Sequence, residues 1–244
     1  MLGLPDGIRA CLFDLDGVLT QTAAIHTRAW AQTFDEYLRR HAALTGQPFQ
    51  PFDVAADYAT YVDGKPRMDG VRDFLASRGI TLPAGNRDDD GDQETVAGVG
   101  NRKNELLLRL IAEEGVDVFE GSARYLHAAR EAGLACAVVS SSANAALVLE
   151  VTGLDDDITV LVDGSLAHAL GMPGKPAPDT FLEGARRLGV VPSEAVVFED
   201  ALAGVAAGRA GNFGYVVGVD RLDQADALSA AGADIVVADL GELL

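Results

Sequence analysis

Ala10-Cys-Leu-Phe-Asp14-Leu-Asp16-Gly17-Val18 decides the fold. Four apolar residues stop abruptly at two carboxylates and a glycine. A buried parallel strand delivers acidic side chains to its C-terminal edge in this way. The shape recurs: 134–139 runs into Ser140-Ser-Ser142, 158–162 into Asp163-Gly164, 195–198 into Glu199-Asp200, and Tyr215–Val219 into Asp220, while Ile235–Val237 ends in Ala238-Asp239. Helix-patterned segments such as 123–132, 178–188 and 201–210 lie between these runs. The alternation predicts an α/β fold, a Rossmann-like, mostly parallel sheet flanked by helices, with ligands at the strand C-termini.

Residues 22–115 break the alternation, having no comparable strand and helical patterns over 23–44, 71–77 and 95–114. The chain therefore divides into a core of residues 1–21 and 116–244 and an inserted small α-helical cap of residues 22–115. Such a cap is expected to act as a lid over the sheet edge and exclude water from a reacting group. Its least regular stretch, 80–94, carries Asp88, Asp89, Asp90 and Asp92. Placing Gly91 as the glycine of a calcium loop puts the bidentate acidic position on Ala97, so a solvated loop is expected instead.

The 244 residues carry 37 acidic and 19 basic side chains, a net charge of −18 with the four His neutral, and 48% are hydrophobic. That balance describes a globular chain that repels nucleic acid and anionic membrane surfaces. Two cysteines, Cys11 and Cys136, are too few for a disulfide framework and read as small hydrophobic thiols in strands. With no signal-like segment and no apolar run approaching ~18 residues, a cytoplasmic monomer is expected.

Asp14 and Asp16 repel each other unless a cation or a shared proton relieves them. A hard divalent metal such as Mg²⁺ is a natural partner, and Glu199-Asp200 bring further oxygen ligands to the same edge. Helix N-caps are the bland alternative for the first pair. Ser140 adds a hydroxyl, and Lys175 adds a cation in Gly174-Lys-Pro-Ala-Pro-Asp179. Singly, these would be a cap and a solvated charge. Opposite a metal they form a clamp for a transferring phosphoryl group.

Asp14-Leu-Asp16-Gly-Val18, Ser140, Lys175-Pro-Ala-Pro-Asp179 and Glu199-Asp200 resemble, in order, the four motifs of the haloacid dehalogenase-like (HAD) superfamily, and the helical insertion resembles that of its small-cap subgroup. The resemblance implies that Asp14 is a nucleophile forming an aspartyl-phosphate and that Asp16 is the general acid/base. It also implies Mg²⁺ held by the Asp14 carboxylate, the Asp16 backbone carbonyl and Asp200, with Glu199 nearby through water. A second acid at Asp16 argues against dehalogenation.

The run from Asp14 through Thr22 and His26 to Trp30 is further similar to the β-phosphoglucomutase group. There, residues matching Thr22 and His26 position the acid/base and close the cap, and the one matching Trp30 lies beside the sugar pocket. Gly64-Lys-Pro-Arg67 resembles a segment whose arginine grips the idle phosphate, and Arg102-Lys103-Asn104 one whose lysine and asparagine reach the sugar. Ser142 and Asn144 match core positions that hold the second phosphate. Arg102 itself is expected to be solvated, and His41, His127 and His168 match no motif. Three departures are visible: Ala143 where the pattern has lysine, Gln21 where it has an acid, and the acidic loop at 88–92.

The resemblance implies interconversion of β-glucose 1-phosphate and glucose 6-phosphate through glucose 1,6-bisphosphate. The alternatives are a Mg²⁺-dependent phosphatase of a small sugar phosphate, which shares every core residue, and a non-catalytic phosphosugar-binding protein, whose signature would be loss of Asp14, Asp16 or Asp200.

Overall fold

The computed structural model describes residues 2–244, which divide into two compact units. One is the segment ending at Gln21 together with Val116–Leu244; the other is Thr22–Gly115.

The first unit holds one parallel sheet of six strands: β1 (Ala10–Phe13), β2 (Ala135–Val139), β3 (Val160–Val162), β4 (Ala195–Glu199), β5 (Tyr215–Val219) and β6 (Ile235–Val237), in the order β3-β2-β1-β4-β5-β6. β1 and β4 are buried at every residue, as expected of strands covered on both faces. Phe13 stacks on Phe198 of the neighbouring strand at 4.6 Å, and Tyr125 meets both rings edge-on. Cys11 and Cys136 are register partners across β1 and β2 and are buried free thiols.

The second unit contains α1 (Thr22–Thr45), α2 (Arg67–Ser77) and α3 (Val96–Glu114), with a π-helical turn at Tyr58–Val62. On α1 the buried set Ile25, Ala29, Trp30, Thr33, Phe34, Tyr37 and Leu38 follows helical spacing. Phe34 and Phe74 (4.1 Å apart), with Phe52, Val71 and Val99, form the centre of this unit's own core. α3 begins at Thr95, whose hydroxyl accepts from the Gly98 amide at 2.9 Å, and ends at Gly115 with φ +76°.

In the first unit follow α4 (Glu120–Glu131), α5 (Ala145–Thr152), α6 (Gly164–Ala169), α7 (Asp179–Leu188), α8 (Leu202–Ala210) and α9 (Ala225–Ala231). No helix among the described residues is long and apolar enough to cross a membrane. On α7, Glu183 accepts from Arg186 Nε and Nη2 at 2.6 and 2.7 Å and from Arg187 Nε at 2.7 Å, which lowers its carboxyl from 4.5 to about 2. A lowered carboxyl contributes stability above its ordinary value and loses it as pH falls through the folded value. The melting-temperature difference between wild type and Glu183→Gln is therefore expected to shrink as pH is lowered from 4.5 towards 2. A gap that stayed constant would contradict this account.

Candidate active site

From β1 the chain builds β2 and β3 to one side, and then returns to build β4, β5 and β6 on the other. Neighbouring strands at such a reversal leave a crevice beyond their carboxyl ends, where ligands bind. Both strands end in acids. Asp14 extends β1, its amide donating to the Phe198 carbonyl at 2.9 Å, and Glu199 closes β4 just before Asp200.

The carboxylates of Asp14, Glu199 and Asp200 are buried, with oxygens all within 4.8 Å of one another. Lys175, equally buried, donates to Asp14 Oδ1, to Glu199 Oε1 at 2.6 Å and to the Val139 carbonyl at 3.0 Å. The other Glu199 oxygen accepts from the Ala201 amide at 2.9 Å. Burial pushes the Asp14 carboxyl up; Lys175 opposes the rise, Glu199 and Asp16 add to it, and the net position is well above the carboxylate range. Burial alone works against the Lys175 charge, but Asp14 and Glu199 outweigh it, so the ammonium is held above its ordinary range.

Three buried carboxylates gather around one buried ammonium, and every oxygen they offer is a hard ligand. The set fits a divalent cation such as Mg²⁺. The Asp16 carboxylate is not one of the three. It is half-buried, and Ser140 Oγ donates to it over a long 3.5 Å.

Two glycines permit the close packing. Gly17 has φ +94°, and a Cβ there would overlap the Asp200 carboxylate. A Cβ on Gly204, in the first turn of α8, would overlap the Glu199 carboxylate. Gly204 was not singled out in the sequence, where the available signal was a glycine inside an alanine-rich helix. Beyond β2, Ser140 Oγ accepts from the Ser142 amide at 3.0 Å and Ser142 Oγ from the Asn144 amide at 3.2 Å, leading into α5.

Within the helical unit, Thr22 opens α1 and is buried, and His26 follows one turn later. Lys103 occupies an interior position on α3, where its Nζ lies 3.1 Å from His26 Nδ1 and 4.9 Å from the Trp30 ring centroid. Trp30 is part of this unit's core and stacks on Phe34 at 5.0 Å. Asn104, beside Lys103, is half-buried. Arg67 opens α2 with its Nε buried and without a hydrogen-bond partner among the described residues, and burial followed by the Arg87 charge lowers its guanidinium. An anionic group would satisfy that donor. Arg102, expected to be solvated, is partly exposed and donates to Glu36 at 2.7 Å and Asp92 at 3.1 Å. The acidic loop is exposed yet tied down, since Asp89 Oδ2 accepts from Thr95 Oγ1 at 2.6 Å and from the Asn86 amide at 3.0 Å.

A strand end bearing two acids, a buried lysine and a second pair of acids at the reversal of a parallel sheet are the features of a phosphoryl-transfer class. The chain belongs to the haloacid dehalogenase-like hydrolase family, whose family model matches residues 8–212. Within that family it is 59% identical, over all of its own length and 94% of the relative's, to a β-phosphoglucomutase of Mycobacterium bovis. It is also 30% identical to the β-phosphoglucomutase of Bacillus subtilis, covering 97% of this chain and 92% of that one. Among solved structures, the β-phosphoglucomutase of Clostridium difficile superposes with a TM-score of 0.76 at 26% identity, covering 97% and 93% of the two chains.

Proposed function

We propose that the protein is a Mg²⁺-dependent β-phosphoglucomutase that interconverts β-glucose 1-phosphate and glucose 6-phosphate through an aspartyl-phosphate on Asp14 and glucose 1,6-bisphosphate. The buried Asp14–Lys175–Glu199–Asp200 cluster carries this reading. The choice of a mutase within the family is supported by 59% identity to a relative of that name over an alignment that spans residues 22–115 as well as the core.

In one half-reaction an Asp14 carboxylate oxygen attacks the phosphorus on C1 of the bisphosphate. The bond from phosphorus to the C1 oxygen breaks, Asp16 gives that oxygen a proton, and glucose 6-phosphate leaves. In the other, Asp16 takes the proton of the C6 hydroxyl of β-glucose 1-phosphate as the hydroxyl oxygen attacks the phosphorus of phospho-Asp14; the bond from phosphorus to the Asp14 oxygen breaks, leaving the Asp14 carboxylate and glucose 1,6-bisphosphate. Lys175 and the Ser140 hydroxyl hold phosphoryl oxygens through both steps. Asp14, the Asp16 carbonyl and Asp200, with Glu199 close by, would hold Mg²⁺, which when bound would neutralise charge on the transferring group. In the sheet-bearing unit, Ser142 and Asn144 are assigned to the phosphate that is not reacting; in the helical unit, Arg67 is assigned to phosphate, Lys103, Asn104 and Trp30 to the sugar, and Thr22 and His26 to cap closure.

Incubation with β-glucose 1-phosphate, MgCl₂ and a trace of glucose 1,6-bisphosphate tests the proposal, with glucose 6-phosphate and inorganic phosphate followed together. Glucose 6-phosphate is expected to rise, in dependence on the bisphosphate, without phosphate release. Phosphate release without glucose 6-phosphate would replace the mutase with a phosphatase.

A further inference from the structure

The five residues after β5, Asp220-Arg-Leu-Asp-Gln224, lie beyond the stretch that the family model matches. They form a built loop. The Asp220 amide donates to the Val237 carbonyl at 2.8 Å, and Asp220 Oδ1 accepts from the amides of Leu222 at 3.3 Å and Gln224 at 2.8 Å. Two side chains leave this loop for the two acid-bearing turns. Arg221 Nε donates to the Gly17 carbonyl at 2.8 Å, and Gln224 Nε2 donates to the Asp200 carbonyl at 3.1 Å.

Arg221 also ties in its surroundings. Its Nη1 donates to the Ala238 carbonyl at 2.7 Å, Nη2 lies 3.5 Å from both the Val18 carbonyl and Ser122 Oγ, and the guanidinium sits 3.5 Å over the Phe119 ring centroid. Nη2 is also 3.5 Å from Asp239 Oδ2. A planar guanidinium presents donors in fixed directions and so bonds several chain segments at once, which a lysine ammonium on a flexible stem does less well. The turns it steadies are themselves in contact, since only the absence of a Cβ at Gly17 leaves room for the Asp200 carboxylate.

We propose that the 220–224 loop is a clasp that fixes the Asp14–Asp16–Gly17 turn relative to Asp200, with Arg221 and Gln224 as positioning residues for Mg²⁺ binding and phosphoryl transfer. The inference rests on the reading of Asp14 and Asp200 as cation-holding residues. Neither clasp side chain is placed at the reacting atoms: Arg221 acts through the backbone of Gly17, next to Asp16, and Gln224 through the backbone of Asp200. Loss of such an outer partner typically weakens a metal site about 10- to 100-fold.

The test compares full-length wild type with Arg221→Ala, Arg221→Lys and Gln224→Ala. Mg²⁺ affinity is measured by isothermal titration calorimetry on metal-stripped protein, and kcat and KM for β-glucose 1-phosphate are measured separately. Arg221→Ala and Gln224→Ala are expected to weaken Mg²⁺ binding about tenfold and to lower kcat with KM unmoved, and Arg221→Lys to recover part of both. Unchanged Mg²⁺ affinity and kcat, with only a lower melting temperature, would reduce the clasp to a structural feature and overturn the proposal. If Arg221→Ala does not fold, Gln224→Ala decides, because its half-exposed side chain contributes a single bond to the turn. A wild-type protein that binds no Mg²⁺ would remove the cation reading, and the clasp with it.

Discussion

Asp14→Asn is expected to fold normally and to lose turnover by on the order of 10⁴-fold or more. The amide has the shape of the carboxylate but cannot attack phosphorus, so no phospho-enzyme should form when the protein is incubated with labelled glucose 1,6-bisphosphate. The same substitution has an opposite effect on stability when no metal is bound. The folded Asp14 carboxyl lies above its ordinary range, through burial and the nearby Glu199 and Asp16 charges. A group raised in this way binds more protons in the folded state, so stability falls as pH rises through the window between its ordinary and folded values. The asparagine variant lacks that slope. In EDTA it should melt no lower than wild type, by a margin that grows as pH rises above the ordinary carboxylate range. Saturating Mg²⁺ reverses the order, because the cation stabilises the protein that binds it more tightly. Near-normal turnover by Asp14→Asn would refute the nucleophile assignment.

Much of the core was readable because fully buried parallel strands are short continuous apolar runs, and all six runs are strands. Their ends shifted where another element claimed the residues: 158 and 159 precede β3 because a 3₁₀ turn at Asp155–Asp157 comes just before them. Strand order was not readable, and it is the order that sets β1 beside β4. Helix α5 escaped notice because its exposed face carries Leu147 and Val151 beside Glu150, so hydropathy alone does not set off the buried Ala145, Val148 and Leu149. The acids of the site could be singled out because they end apolar runs. The destination of Lys175 could not, since it is 161 residues from Asp14 and 24 from Glu199, and only the fold puts its ammonium between the two. Lys103 illustrates the same limit. A charge in an apolar helical stripe signals a special environment, but the pattern does not name His26 and Trp30 as its neighbours.

Lys175→Met is expected to cost the metal-free protein about 3–5 kcal/mol, the range for removing one partner of a buried ion pair. For a chain of this size that is a fall of roughly 6–20 °C in melting temperature. The methionine fills similar space against Phe181 but leaves Asp14, Glu199 and the Val139 carbonyl without their shared donor. Mg²⁺ takes over part of the neutralisation, so the loss should be smaller with Mg²⁺ than in EDTA. Turnover should still fall about 10²–10³-fold with metal saturating, because a donor to the transferring phosphoryl group is gone. The double variant Lys175→Met/Glu199→Gln separates the two roles. Removing both charges relieves the repulsion and should restore much of the melting temperature, whereas turnover should stay low. A single variant that melts like wild type in EDTA would mean that the buried ammonium is not what holds the three carboxylates together.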